Sequence, residues 1–286
     1  MWVFLNNKFV ESKKAVVSVF DHGFLYGDGI YETLRAYGGR VFMLQQHLAR
    51  LQRSGRLIGL TFPLADKDWP SLVEESISRN RLHNAYIRIT VSRGEGDIGL
   101  DPGLCGRPTV VILARPLTPY SPHLFRDGVS LTVVQVRRNL AAALPPQIKS
   151  LNFLNNILAK QEALQAGVFD GIMLNTSGDL TECTASNLFF VQHGRLCTPS
   201  IECGILDGIT RAVVLMLAQE NGMAVEEGSY PAAALQQADE CFLTNTTMEI
   251  MPVREVDKTP IGDGRPGPLT LKLRDLFHSH LARFLE

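Results

Sequence analysis

Gln147-Ile148-Lys149-Ser150-Leu151-Asn152-Phe153-Leu154-Asn155-Asn156 sets one lysine among apolar neighbours, directly ahead of a segment expected to form a strongly amphipathic helix. An amine held there out of bulk water can stay unprotonated and condense with an aldehyde, which is Schiff-base chemistry. Most single lysines are solvated surface groups. Lys149 is set apart by the residues further along the chain: Glu182 with Ser186-Asn187, then Gly208-Ile209-Thr210-Arg211, then Thr244-Asn245-Thr246-Thr247.

Upstream of the lysine, residues 2–5, 16–20, 85–91 and 110–114 read as strands, and 47–60 carries Leu48, Leu51, Leu57 and Leu60 at helical spacing. These elements predict a small α/β domain over 1–115. Residues 116–122 hold three prolines in seven positions and can continue neither element, so they read as an interdomain linker. Further on, strands at 129–136, 171–174 and 188–191 are interspersed with helices at 152–166 and 209–221, giving a larger mixed domain over 123–286. The expected fold class is therefore α/β (mixed α+β) in two domains, without repeats or low-complexity segments.

The 286 residues allow a core large enough to exclude water from a site. A net charge of −1 gives no electrostatic case for nucleic acid or an anionic membrane. The apolar start Met1-Trp2-Val3-Phe4-Leu5 is too short for a signal segment, and no apolar run approaches the roughly 18 residues of a membrane span. A cytoplasmic protein is expected. Five cysteines without CxxC spacing indicate neither a disulfide framework nor a zinc site, so they are expected to be reduced, and no metal is expected.

Gly94-Glu95-Gly96-Asp97-Ile98-Gly99 matches a dinucleotide-binding pattern and follows a credible strand, but Leu100 to Pro108 cannot form the helix that would hold a pyrophosphate. No acidic residue lies at the distance expected for a ribose contact. A glycine-rich loop near a ligand is the better reading, and a nicotinamide oxidoreductase is set aside.

A pyridoxal phosphate enzyme needs an amine for the aldehyde, an acid at the pyridine nitrogen, donors for the phosphate and walls for the ring. Lys149 supplies the amine; with an ordinary pKa of about 10.4 it must be buried or engaged to react at neutral pH. Glu182, ahead of an apolar strand, offers the acid, although such a position also suits a turn acid. Gly208-Ile209-Thr210 opens a helix whose unpaired N–H groups form an anion site, with hydroxyls from Thr210 and Thr246 and a charge from Arg50. Taken singly, a threonine near a helix start is usually a cap and an arginine on a helix is usually solvated.

In this order the motifs resemble the class IV, or fold-type IV, pyridoxal phosphate aminotransferases, over nearly the whole chain from Val19-Phe20-Asp21-His22-Gly23-Phe24-Leu25-Tyr26-Gly27-Asp28-Gly29 to Met251-Pro252-Val253. The resemblance implies a catalytic Lys149, with Glu182 at the ring nitrogen and Leu206 packed on the ring. Arg50, Ile209, Thr210 and Thr246 would hold the phosphate, with Ser186 and Asn187 also at the cofactor. It further implies that the larger domain is a pseudo-barrel, and that the protein is a homodimer in which each subunit completes its partner's pocket. Amino acid and 2-oxo acid substrates would be met by Tyr31, Arg88, Phe153, Thr246 and Thr247.

Within the family, Tyr86-Ile87-Arg88, Gly94 to Pro102 and the run from Ile148 to Ala163 resemble branched-chain aminotransferases, which implies transamination of L-branched-chain amino acids. Phe153 stands where those enzymes usually carry a tyrosine, leaving Tyr31 as the available hydroxyl. Thr33 replaces their usual glycine, and Asn245-Thr246-Thr247 replaces a Gly-Thr-Ala turn. The Thr-Thr turn and Ile-Lys-Ser-Leu-Asn also resemble D-amino-acid transaminases, yet Ile98-Gly99-Leu100 stands where well-known members use Arg-x-His for the substrate carboxylate. Aminodeoxychorismate lyase and R-selective amine transaminase are further alternatives on the same cofactor site, and a cofactor-carrying protein without turnover is the non-enzymatic one.

Overall fold

The computed structural model describes all 286 residues. They form two compact units: Met1–Thr118 with two short returns of the chain, Ile148–Asn152 and Arg283–Glu286, and a second made of Pro119–Gln147 and Phe153–Ala282.

The first unit is a six-stranded antiparallel sheet packed on two helices. In chain order it contains β1 (Trp2–Leu5), β2 (Lys8–Glu11), the short helix α1 (His22–Tyr26), β3 (Gly29–Tyr37), β4 (Arg40–Val41), α2 (Leu44–Leu57), α3 (Asp68–Arg79), β5 (Ala85–Ser92) and β6 (Thr109–Pro116). The strands lie in the order β2-β1-β6-β5-β3-β4. Period-two alternation sends Ile30, Leu34 and Ala36 of β3 and Ala85, Ile87, Ile89 and Val91 of β5 into one core with Leu48 and Leu51 of α2 and Trp69 and Val73 of α3. The opposite face carries Tyr31, Thr33 and Arg35, which pair with Thr90, Arg88 and Tyr86.

Lys149 groups with this unit, although it lies within 123–286 in sequence. The Tyr31 N–H donates to the Lys149 carbonyl and the Leu151 N–H to the Gly29 carbonyl, each at 2.9 Å, so this short segment extends the pairing beside the start of β3.

The second unit contains α4 (Pro122–Asp127), β7 (Val129–Val133), α5 (Leu154–Gln165), β8 (Asp170–Leu174), β9 (Leu180–Cys183), β10 (Asn187–Gln192), β11 (Arg195–Pro199), α6 (Ile209–Glu220), β12 (Val225–Gly228), β13 (Glu240–Asn245), β14 (Glu249–Val256) and α7 (Pro268–Ser279). Its strands run β12-β11-β10-β13-β14-β7-β8-β9, and a further pairing of β9 with β10 closes six of them into a barrel. Closure removes the open edges of those strands. Leu131, Ile172, Leu188, Phe190, Leu243 and Met251 belong to the core of this unit.

Two expectations are overturned. Residues 16–20 form no strand: Val16, Val17, Val19 and Phe20 are exposed, and the Phe20 carbonyl accepts from the Gly96 N–H of a loop instead of joining a ladder. Their β-rich composition has no strand edge to pair with. The helix after Lys149 is not strongly amphipathic toward its own core: α5 buries Asn156, Ala159 and Ala163 while Leu154, Ile157, Leu158 and Leu164 stay exposed. The proline-rich stretch is partly structured, since Pro116 ends β6 and Pro122 opens α4. No helix follows Gly94 to Gly99, only a three-residue helical turn at Pro102–Leu104.

Gly94 owes its identity to packing. Its φ is +99°, and a Cβ there would lie 1.8 Å from the Arg107 carbonyl oxygen. Gly94→Ala is expected to destabilise the first unit by about 2 kcal/mol or more, read as a lower thermal midpoint; an unchanged midpoint would contradict the close approach of these two backbone segments.

Candidate active site

In the first unit Lys149 is half-buried between the buried Ile148 and Ser150. Its N–H donates to Ser54 Oγ at 3.2 Å, and its Nζ lies 4.6 Å from the centre of the Tyr31 ring. The Arg88 guanidinium packs on the same ring at 3.8 Å, so the Lys149 amine and a guanidinium share one electron-rich ring. Burial raises the Tyr31 phenol above its ordinary range, only partly opposed by Arg88, so the hydroxyl keeps its proton and remains a donor.

On the core face of the same strand, Glu32 stands between Ile30 and Leu34 with no exposure. Arg50 grips it with Nε at 2.6 Å and Nη2 at 2.8 Å, and His47 Nδ1 lies 2.8 Å from Oε2. His47 and Arg50 are three residues apart on α2 and so share one helix face. Burial alone would raise the Glu32 carboxyl; the charge and hydrogen bonds of Arg50, with the bond to His47, outweigh it and hold the group below the usual carboxylate range. Burial lowers the His47 imidazole, whose charged neighbours are Glu32, Arg50 and Lys149. The expectation that such an arginine is solvated fails here, because Arg50 is buried.

The second unit buries a carboxylate of its own. Glu182 sits on β9 at the barrel closure, where Oε1 meets Arg138 Nη2 at 2.8 Å and Oε2 accepts from Asn187 Nδ2 and from the Leu206 N–H, each at 3.1 Å. Asn187 also donates to the Leu206 carbonyl at 3.0 Å. Glu182 pairs with Asn187, and Asn187 with Thr244, so these three side chains form a row on one face of the barrel wall.

Helix α6 begins beside that row. Its N-cap Gly208 lies so close to Asn187 that a Cβ would come 1.9 Å from Oδ1. The first-turn N–H groups of Ile209 and Thr210 lack intrahelical acceptors, as at any helix start. The hydroxyls of Thr210, Ser186 and Thr244 are buried without a protein partner, and buried hydroxyls are rarely left so unless something else supplies the bond. Thr246 and Thr247 lie in the turn from β13 to β14, which Asn245 fastens by accepting from the Thr247 and Met248 N–H groups and donating to the Ala185 carbonyl at 3.1 Å. Phe153 occupies the N-cap position of α5.

The expected residues thus fall into two sets. Tyr31, Arg50, Arg88 and Lys149 are gathered in the first unit; Phe153, Glu182, Ser186, Asn187, Leu206, Ile209, Thr210, Thr246 and Thr247 belong to the second. Sequence reading missed Glu32, His47 and Arg138, and it singled out the stretch holding Thr244 without giving that residue a role. Glu32 carried a legible signal, a charge in an inward slot of an alternating apolar strand, whereas Arg138 beside Arg137 looks like a solvated pair. No group of three or more His, Cys, Asp or Glu is arranged to hold a metal ion.

The lowered His47 pKa has a pH consequence with a definite sign. Below its ordinary 6.5 the unfolded chain binds a proton that the folded chain refuses, so this contribution to stability is present above pH 6.5 and lost as pH falls. The loss is at most about 1.4 kcal/mol per pH unit. Urea midpoints measured between pH 7 and pH 5 should fall more steeply for the native chain than for His47→Asn; parallel slopes would mean that His47 takes up its proton in the fold.

Residues 29–256 match the family model for amino-transferase class IV. A Methanocaldococcus jannaschii protein provisionally named as a branched-chain-amino-acid aminotransferase is 45% identical over 277 residues, covering 97% of this chain and 95% of that protein. The D-alanine aminotransferase of Listeria monocytogenes is 34% identical over 288 aligned positions, covering 99% and 97%. Among solved structures, the T.th. branched-chain amino acid aminotransferase with pyridoxamine 5′-phosphate superposes with a TM-score of 0.96 at 29% identity, covering 100% of this chain and 97% of that one. A family match over most of the chain, relatives alike from end to end and the two-unit fold with a closed barrel agree: this chain belongs to the class IV aminotransferases, enzymes that depend on pyridoxal phosphate.

Proposed function

We propose that the chain transfers the amino group of L-branched-chain amino acids to 2-oxo acids, using pyridoxal 5′-phosphate held by the residues described above. The observation that carries this reading is the Glu182 cluster, a buried carboxylate held by three donors close to a helix start with an unpartnered Thr210 hydroxyl. Those groups fit the cofactor's two polar ends. Glu182 would keep the ring nitrogen protonated, while the Ile209 and Thr210 N–H groups, the Thr210 and Thr246 hydroxyls and Arg50 would hold the phosphate. Leu206 would cover the ring, with Ser186 and Asn187 beside it.

When bound, the cofactor supplies an electron sink for negative charge at the substrate's α-carbon. Lys149 would hold the aldehyde carbon and, once displaced by the substrate amine, carry a proton between the substrate α-carbon and the cofactor's C4′. Tyr31, which keeps its proton, would donate to the phenolic oxygen, a role Phe153 cannot fill. Arg88 and the Thr246-Thr247 turn would meet the substrate carboxylate. Higher identity to the branched-chain relative than to the D-alanine enzyme supports the L-branched-chain choice. So do Ile98 and Leu100, which are exposed and cannot bind a carboxylate. The Thr-Thr turn keeps a D-amino-acid donor as the second reading.

The same proposal makes the protein a homodimer. Phe20, Phe24, Leu25 and Tyr26 are exposed together with Ile98 and Leu100, and α1 is tied to the glycine-rich loop by a Gly99 N–H to Tyr26 hydroxyl bond at 3.2 Å. An apolar surface of this kind is expected to be covered by a second copy. No helix is long and apolar enough to cross a membrane. A cytoplasmic location is part of the proposal, supported by five free cysteines.

Absorbance of the cofactor-loaded protein mixed in turn with L-leucine, D-alanine and R-1-phenylethylamine tests the donor. L-leucine alone should convert the visible band to that of the pyridoxamine form; conversion by D-alanine alone would transfer the assignment to the D-specific enzymes, and a band that no donor shifts would remove transamination. Lys149→Ala should lower turnover about a thousandfold or more while the fold persists. Sedimentation should give twice the 31.6 kDa chain mass, and Phe24→Glu with Leu100→Glu should halve it.

A further inference from the structure

Arg50 reaches its position in the first unit as one member of a buried set of three. A guanidinium carries five N–H donors in one plane, and the fork to Glu32 engages Nε and Nη2, so Glu32 fixes the directions in which the other donors point. Glu32 is set in turn by His47. The imidazole has no exposure, its Nδ1 faces the carboxylate, and its Nε2 is buried with no partner. Nδ1 meets an acceptor and an Nε2 proton would lack one, so the ring is neutral with its proton on Nδ1. Each member touches only rigid elements, since Glu32 is in the middle of β3 and the other two are on α2.

From this arrangement we infer that Glu32 and His47 are positioning residues for an anion, a chain in which neutral His47 orients Glu32 and Glu32 orients Arg50 toward the cofactor phosphate. The inference rests on the proposed role of Arg50 at that phosphate. Because Glu32 already balances the guanidinium charge, Arg50 would offer the phosphate directed hydrogen bonds more than net charge. The Arg50 fork already holds both Glu32 oxygens, and the His47 contact to Oε2 adds a third bond that further resists rotation of the carboxylate about its terminal bond.

The test strips the full-length protein of cofactor and measures its dissociation constants for pyridoxal phosphate and for pyridoxal, which lacks the phosphate. Their ratio isolates what the phosphate contributes and cancels the shared bond to Lys149. Glu32→Gln and His47→Leu should each weaken pyridoxal phosphate at least about tenfold while pyridoxal changes less than about threefold, and His47→Asn, which keeps a donor near Nδ1, should restore most of the ratio. Equal weakening of both ligands, or an unchanged ratio, in the His47 variants would overturn the positioning role even if Glu32→Gln fails to fold. Arg50→Gln, which removes the charge and the fork but keeps a donor for Glu32, separates the two levels of inference. If it leaves the ratio intact, Arg50 does not meet the phosphate and the underlying assignment fails; if it collapses the ratio while the Glu32 and His47 variants do not, only the positioning chain fails.

Discussion

The pairing of Glu182 with Asn187 is the seam at which the second unit closes on itself, and much of that unit is arranged around it. The two strands meet there through one residue pair, so the closure leans on side chains as well as on the backbone ladder. A carboxylate buried at a seam would oppose closure by several kcal/mol if left alone. Arg138, from the connection after β7, and the Leu206 N–H, from the connection before α6, converge on it. The groups that make the seam stable are those that hold the Glu182 oxygens in fixed directions.

The first unit solves a like problem differently. Glu32 also lies in an apolar wall, and its main partner is also an arginine, but the third group is a neutral imidazole from the same helix in place of an amide. Both carboxylates therefore have two anchored oxygens and one dominant cation, and both are carried on strands. Groups on strands and helices are held more precisely than groups on loops, because packing fixes their rotamers. Tyr31 and Glu32 add a further economy: neighbours on one strand, they point to opposite faces, one toward Lys149 and Arg88 and the other into the core.

What could be read from the chain depends on the range of the interactions involved. The alternation in β5 and β6 needs only local periodicity, and the helical spacing of α2 and α6 likewise, whereas β3 does not read as a strand, because its first four residues are all buried and Glu32 interrupts the apolar row. The place of the Lys149 stretch in the fold was not legible, because its attachment to Gly29 and Tyr31 is a backbone pairing with a distant segment and leaves no trace in side-chain pattern. Residues 16–20 mislead for the complementary reason: β-rich composition predicts a strand only where an edge is available. Arg138 was invisible because its role is defined by Glu182, far along the chain, while Glu32 was readable in principle as a charge that breaks an apolar row.

Gly208 shows how tightly the remaining pieces constrain one another. Its missing side chain lets the start of α6 approach Asn187 to a distance that no other residue permits, and Asn187 is already committed to Glu182 and to the Leu206 carbonyl. The helix start and the carboxylate are therefore fixed relative to one another through the Asn187 amide and the Leu206 N–H. Moving the helix by the space of one methyl group would turn that amide, release one of the three donors on Glu182 and shift the first-turn N–H groups together. A helix start and a buried acid whose separation is set this way have little freedom to move independently, so a change at Gly208 or Asn187 is felt at both.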